Sequence, residues 1–493
     1  MIIVLVSFTV LFSTNNTRPQ VLSEPKISRN DSSIIAFNTP YIKEYSLPNG
    51  TWPNAILVDK NGIVWTLGSK LHMLFKFDPK KESIISSYPI IANSTDERPK
   101  SSLMSWTMVQ DNGGFIWFSR LGQSAIWRFD PINEKFIMFH SSAPAFQMKL
   151  DRETGNIWFV TLASNTVGII QKNNESNQYK ITEFNMGNAS SPTNLFIKNN
   201  HGWLSQFPIA STNNSTGDVM EFYTNQDKGI FHISEKKVLY HVYEPTDVFY
   251  DENNSLWFTE HGTSTISEYK TDSLDLSRFP TSSNKYHSST LPLWIRQSLD
   301  GKGLWFNEHG GNRIGFFDKE NITLTEYEIP SRPHDGDIVY PLNISLDPTD
   351  NNKIWFSEWN TDKIGVLDRS IPLPFDIHSD VRKIILQENN IKKQSIINVI
   401  ITRKISSLSG NNSGTIYLNA TSSPDPLIRN TSMNLTFFPS MINLTKANER
   451  TSAQLNIEIS LDKTFNSTLA VSASNNIVTK SVFIDFDVRH TRK

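Results

Sequence analysis

The sequence predicts an all-β chain, a seven-bladed β-propeller followed by a small immunoglobulin-like β-sandwich. One phrase recurs seven times: IVWTLG at 63–68, FIWFSR at 115–120, NIWFVT at 156–161, HGWLSQ at 201–206, SLWFTE at 255–260, GLWFNE at 303–308 and KIWFSE at 353–358. The tryptophans Trp65, Trp117, Trp158, Trp203, Trp257, Trp305 and Trp355 are separated by roughly 40–55 residues, the period of a propeller blade. After Asp368 the phrase stops and a different alternation of β-branched residues begins. No stretch has the i, i+3, i+4 apolar periodicity of a helix.

Taken in chain order, residues 1–12, MIIVLVSFTVLF, are an apolar run of signal-peptide core length, too short for a membrane span of ~20 residues. Residues 1–30 are therefore expected to be a signal peptide or N-terminal anchor with a polar segment. An extracellular or cell-surface location follows. About seventeen Asn-x-Ser/Thr sequons are compatible with glycosylation there, including those at Asn49, Asn93, Asn188, Asn214, Asn321, Asn343, Asn419, Asn434, Asn443 and Asn466.

The propeller is placed at 41–369. Its fifth repeat resolves into PTDVFYD (245–251), NNSLWFTE (253–260), TISEYKT (265–271) and LSRFPTS (276–282), four short runs punctuated by turn residues. That is a four-stranded antiparallel blade. The last repeat supplies three strands, ending at KIGVLDR (363–369), and YIKEYSLPNGTWP (41–53) reads like the end of the sixth repeat, LTEYEIPSRP (324–333). A strand near 41–48 is thus expected to complete the seventh blade and close the ring, which protects the edges. The repeat tryptophans are expected to pack one blade on the next, each burying ~150–250 Å². In the fourth repeat PIASTNNSTGD (208–218) inserts a polar loop.

A proline-bearing linker is expected at 370–390 and the sandwich at 391–493. Its strands read as SIINVIITRKI (395–405), GTIYLNATS (414–422), NLTFFPSM (434–441), AQLNIEISLD (453–462), STLAVSASN (467–475) and SVFIDFDVRH (481–490). None of them carries recognisable chemistry.

The 493 residues carry a formal net charge of −2 and a pI near 6.6, with no long basic patch, so nucleic acid is not an expected partner. Cysteine is absent, which excludes disulfides, thiolate metal sites and a cysteine nucleophile. A monomer is expected.

Three consecutive repeats end the tryptophan strand on an acid: Glu260, Glu308 and Glu358. The earlier repeats hold Gly68, Arg120, Thr161 and Gln206 there. Equivalent positions converge at one end of a propeller, and clustered carboxylates favour a hard cation, Mg²⁺ or alternatively Ca²⁺. His261 and His309 follow directly, and His334 precedes the seventh repeat's first strand; each is a candidate catalytic base. Neighbouring strand residues face opposite ways, so a Glu and its following His share a site only where the strand has turned. The alternative is that each Glu caps a turn at the rim and each His is a surface residue.

GLWFNEHGGNRIGFF (303–317) and KIWFSEWNTDKIGVL (353–367) resemble the virginiamycin B lyase (streptogramin B lyase) family, over about 41–369 and most closely in the last three repeats. The resemblance implies a seven-bladed propeller and Mg²⁺-dependent linearisation of a cyclic depsipeptide by elimination. In that family a Glu-Pro-His triplet opens a strand, and here Glu244-Pro245-Thr246 opens the fifth repeat with Glu260 at the matching spacing. The implied metal set is Glu244 and Glu260, with Glu308 and Glu358 as further acids. The family histidine is replaced by Thr246, and the neighbouring repeats begin Pro192-Thr193, Pro292-Leu293 and Pro341-Leu342. Two functions stay open: a metal-dependent lyase opening a small cyclic ester or depsipeptide, or a non-catalytic surface module recognising a glycan, peptide or protein.

Overall fold

The computed structural model describes residues 35–36, 39–90, 104–162, 164–173, 178–187, 191–207, 216–227, 230–283, 289–332, 338–387, 392–404, 414–423, 432–446, 448–460 and 465–489. The expected leader at 1–30, His334, most of the 208–218 loop and the sequons at Asn93, Asn188 and Asn214 lie outside them.

Each tryptophan phrase forms the second strand of a four-stranded antiparallel unit. In the fifth unit the strands are Pro245–Tyr250, Ser255–Glu260, Thr265–Lys270 and Asp275–Pro280, within a residue or two of the runs read from sequence. The third strand of the last unit, Lys363–Asp368, pairs with Ile42–Ser46, in register from Ile42 opposite Leu367 to Ser46 opposite Lys363. This is the pairing expected of the upstream segment. The first strands of successive units lie side by side, and that of the last lies beside that of the first, Pro53–Val58. The architecture is all-β and propeller-like.

The repeated residues account for the repeated geometry. All seven repeat tryptophans are at most 3% exposed. In four units an aspartate before the tryptophan caps the intervening turn with Oδ1 and accepts the indole N–H with Oδ2: Asp59 with Trp65 (3.0 Å), Asp111 with Trp117 (2.8 Å), Asp251 with Trp257 (3.0 Å) and Asp347 with Trp355 (3.3 Å). A buried indole N–H left unpaired is costly, so each aspartate fixes both turn and core. The phenylalanine after the tryptophan lies over a glycine on the next strand. Phe306 stands opposite Gly315 and Phe356 opposite Gly365, and a Cβ on either glycine would run into the ring.

The axis of the ring is filled. The Trp106 carbonyl accepts from Gln147 Nε2 (3.2 Å) and Asn343 Nδ2 (2.7 Å), and Trp294 Nε1 donates to the Leu342 carbonyl (2.7 Å). Phe146 packs on Trp106 (ring centroids 5.3 Å) and on Trp294 from across the ring (5.8 Å). Asn343, a sequon residue, is 4% exposed with its amide engaged, so it cannot take a glycan in this fold.

The segment expected as a linker, 370–390, contributes two strands, Phe375–Ser379 and Lys383–Gln387. The first joins a four-stranded sheet with Lys392–Arg403, Arg450–Ser460 and Ser432–Phe438. The second runs parallel to Asp485–Arg489. The final strand, Val478–Arg489, also pairs through Val478–Val482 with Thr323–Tyr327, the outer strand of the sixth unit. The C-terminal sheet that contains Val478–Arg489 is therefore joined to the ring by continuous backbone hydrogen bonding, while the Phe375–Ser379 sheet is separate from it. Phe483 adds ring contacts to Phe279 (5.1 Å) and Phe317 (5.9 Å).

Candidate functional site

Each first strand begins at one end of the ring, where the tryptophan strand of its own unit ends; Pro245 stands opposite Glu260, Pro292 opposite Glu308 and Pro341 opposite Glu358. The residues immediately before these three prolines and before Pro53 of the first unit have positive φ: Trp52 (51°), Glu244 (46°), Leu291 (54°) and Tyr340 (51°). For residues with a Cβ this conformation costs of order 1–3 kcal/mol, and such strain concentrates at functional sites. Here it turns four side chains, all partly exposed, onto one rim.

The candidate acids are arranged differently from the convergence expected of them. Glu260, Glu308 and Glu358 are all 0% exposed and do not converge; each is held inside its own unit. Glu260 Oε1 accepts from Arg278 Nε (2.7 Å) and Ser267 Oγ (2.6 Å). Glu308 lies 4.0 Å from Arg313 Nη1, which also faces Glu326 (3.6 Å); Arg313 Nε donates to Glu328, and Arg332 reaches Glu328 as well (2.8 Å). Glu358 accepts from Thr361 Oγ1 (2.7 Å) and lies near Glu44, whose carboxylate pairs with Lys363 (3.0 Å). Burial, then the charge of Glu326, pushes Glu308 well above the usual carboxylate range; burial and Glu44 do the same to Glu358. Arg313, facing three carboxylates, is held above its ordinary value despite its burial.

A divalent cation does not fit these residues. Among the described residues no group of three or more His, Asp or Glu side chains is placed to hold a metal ion. At Glu260, the acid the family resemblance makes a metal ligand, a guanidinium already supplies the positive charge. The other implied ligand, Glu244, is turned to His261, with Oε2 3.3 Å from Nδ1.

His261 and His309 lie at the same end of the ring, each one residue after its acid, Glu260 and Glu308. A 3₁₀ turn, His261–Thr263, begins directly after Glu260, so the chain leaves the strand there, and His261 is itself buried beside Glu244. His261 and His309 stack, with centroids 4.9 Å apart and planes 17° apart. His309 Nδ1 lies 3.1 Å from the Leu291 carbonyl, and burial, with His261 beside it, holds His309 well below the usual imidazole range and thus neutral at pH 7. The ring contacts continue from His309 to Tyr340 (6.3 Å), Tyr340 to Trp359 (6.1 Å) and Trp359 to Trp52 (5.3 Å), with Lys70 Nζ 4.7 Å over Trp52. Beyond it, His72 Nδ1 meets Arg120 Nη2 at 2.6 Å. An arc of imidazole and aromatic rings thus spans consecutive units of one rim.

Trp52, Tyr340 and Trp359 were not among the residues the sequence singled out. Trp359 occupies the position of His261 and His309, one after the acid, and Trp52 and Tyr340 that of Glu244, one before the proline. Those registers were the available signal.

No family model and no curated protein matches the chain. Among solved structures, virginiamycin B lyase from Staphylococcus aureus is similar, with a TM-score of 0.50 and 22% identity over 66% of this chain and 98% of that one. A streptogramin B lyase structure has a TM-score of 0.50 and 18% identity over 69% and 99%. Kuenenia stuttgartiensis hydrazine synthase has a TM-score of 0.51 at 10% identity over 65% and 96%. At such identities the likeness is one of fold, and the fold is that of propeller proteins, with virginiamycin B and streptogramin B lyases among its structural neighbours.

Proposed function

We propose that this chain is a seven-bladed, streptogramin-lyase-like propeller with an immunoglobulin-like sandwich docked on its sixth blade, and that it serves as a non-catalytic ligand-binding module outside the cell. The observation that carries the reading is the pairing of Glu260 with Arg278, which places a fixed cation where a lyase of this type would need a metal. The rim instead presents partly exposed Trp52, Tyr340 and Trp359 beside Glu244 and Lys70. Flat rings flanked by a few charged groups suit the pyranose faces and hydroxyls of a glycan.

The test is equilibrium binding of the full chain to an oligosaccharide array. The reading expects saturable retention that falls about tenfold or more in Trp359→Ala, equivalent to ~1.4 kcal/mol. Absence of retention, together with linearisation of a type B streptogramin seen by mass spectrometry, overturns it.

A second reading rests on His261. A carboxylate 3.3 Å from an imidazole nitrogen is the arrangement that orients a general base, and it supports proton abstraction without a metal. Linear product at unchanged mass, insensitive to EDTA and lost in His261→Gln, is the outcome that favours it.

A further inference from the structure

At the fifth position of each first strand, counted from the proline of the fifth, sixth and seventh units, stand Leu57, Val109, Lys149, Phe196, Phe249, Arg296 and Ser345. All seven are partly exposed. They lie below the Trp106, Phe146 and Trp294 plug, on the side away from the aromatic rim. Two of the seven are cations, and both reach the same carboxylate. Arg296 Nη1 donates to Asp247 Oδ2 (2.7 Å), and Lys149 Nζ, from the third unit, reaches Asp247 Oδ1 (3.5 Å) past the fourth unit.

Asp247 has no capacity left for either cation beyond this. It is 0% exposed and also accepts from the backbone N–H of Val248 (2.9 Å) and of Ile295 (2.9 Å). One carboxylate faces two cations, so the cluster carries a net positive charge. Lys149 has three N–H donors and one long contact. Burial, followed by the charge of Arg296, lowers its ammonium to about 8.

A second, independent observation lies in the intervening unit. Asn194 occupies the position of Asp247 one unit earlier and is 0% exposed. Its Oδ1 accepts the N–H of Leu195 (2.8 Å), and its Nδ2 has no hydrogen-bond partner. An amide donor left unpaired in the interior is destabilising, and a bound acceptor relieves it.

We propose that this lower opening of the ring is a binding site for a small oxyanion, a phosphate or carboxylate group, taken by Lys149 and Arg296 with the Asn194 amide as a third donor and Asp247 holding the two cations in place. Oxyanion recognition needs fixed donors around a site of positive charge, and the third, fourth and sixth units supply them through Lys149, Asn194 and Arg296. The site is separate from the aromatic rim and does not depend on what the rim binds.

The experiment uses the full chain and two probes, inorganic phosphate and acetate, against sodium chloride at matched ionic strength. Acylation of Lys149 by an N-hydroxysuccinimide ester at pH 8 is followed by peptide mass spectrometry, which needs no variant. Protection of Lys149 that saturates with phosphate or acetate, and is absent with chloride, is expected; whichever probe protects at lower concentration identifies the group. Calorimetric binding of that probe should fall at least about tenfold in Lys149→Met and survive in Lys149→Arg. Equal labelling in all three salts, or unchanged affinity in a folded Lys149→Met protein, overturns the proposal.

Discussion

The first four units and the last three treat one position differently. Where the tryptophan strand ends, the first four hold Gly68, Arg120, Thr161 and Gln206, and the last three hold Glu260, Glu308 and Glu358. Read alone, that asymmetry suggests a metal site. In the fold, each glutamate is buried inside its own unit, and the cations that answer it are internal: Arg278 for Glu260, Arg313 for Glu308, and Lys363 by way of Glu44 near Glu358. Gln206 is likewise satisfied locally, by Asp218 (2.9 Å). The asymmetry that reaches the rim is one residue later, with Ser69, Leu121, Leu162 and Phe207 in the first four units against His261, His309 and Trp359 in the last three. The comparison teaches that a run of equivalent acids on a strand is structural until its countercharges are counted.

The strongest way to break this comparison is to remove one internal countercharge. Arg278→Met leaves Glu260 0% exposed and without its cation, and breaking one side of a buried pair costs about 3–5 kcal/mol. The expected result is a large drop in urea midpoint, largely restored when Glu260→Gln is added. An Arg278→Met protein as stable as the parent would mean that Glu260 is neutralised by something else.

A smaller effect is expected from the repeat scaffold beneath the acids. Gly315→Ala drives a Cβ into the Phe306 ring, and overpacking of this kind costs about 1–3 kcal/mol. Thermal denaturation should show it, with Phe306→Leu in the same chain recovering part of the loss.

The smallest effect separates Glu308 from Glu260. The folded-state pKa of Glu308 is raised, so the folded protein retains a proton that the unfolded chain releases near 4.5. Its contribution is fully present below that value and is lost as pH rises toward the folded-state value. Glu308→Gln should therefore flatten the decline of stability with pH above about 4.5, where one such group gives a slope of at most about 1.4 kcal/mol per pH unit. Identical slopes in the two proteins would show that Glu308 is ionised in the fold.

Much of the fold was legible because its signals are local. Trp257, six residues after Asp251, reports a capped turn and a buried second strand, and the likeness of 41–53 to 324–333 anticipates the pairing of Ile42–Ser46 with Lys363–Asp368. Linker and sandwich were less legible. Phe375–Ser379 and Lys383–Gln387 are short strands whose partners, Ile400 and Phe486 among them, are distant in sequence. The site was least legible of all. Arg278 meets Glu260 from two strands away, through the sheet, and Lys149 meets Asp247 from two units away, across the ring. No spacing rule connects such pairs. Trp359 was within reach, since it stands in the register of His261 and His309, but an aromatic after an acid carries no chemical signature until its neighbours Trp52 and Tyr340 are in place.

If the Arg278 guanidinium stands in for a resident metal at Glu260, calorimetric titration of the purified full chain with Mg²⁺ and Ca²⁺ will show it. No saturable binding of either ion is expected, and the same melting temperature with and without EDTA. One equivalent of Mg²⁺ or Ca²⁺ bound by the parent chain, and lost in Glu260→Gln, would contradict it and return the ring to the metal-dependent lyases.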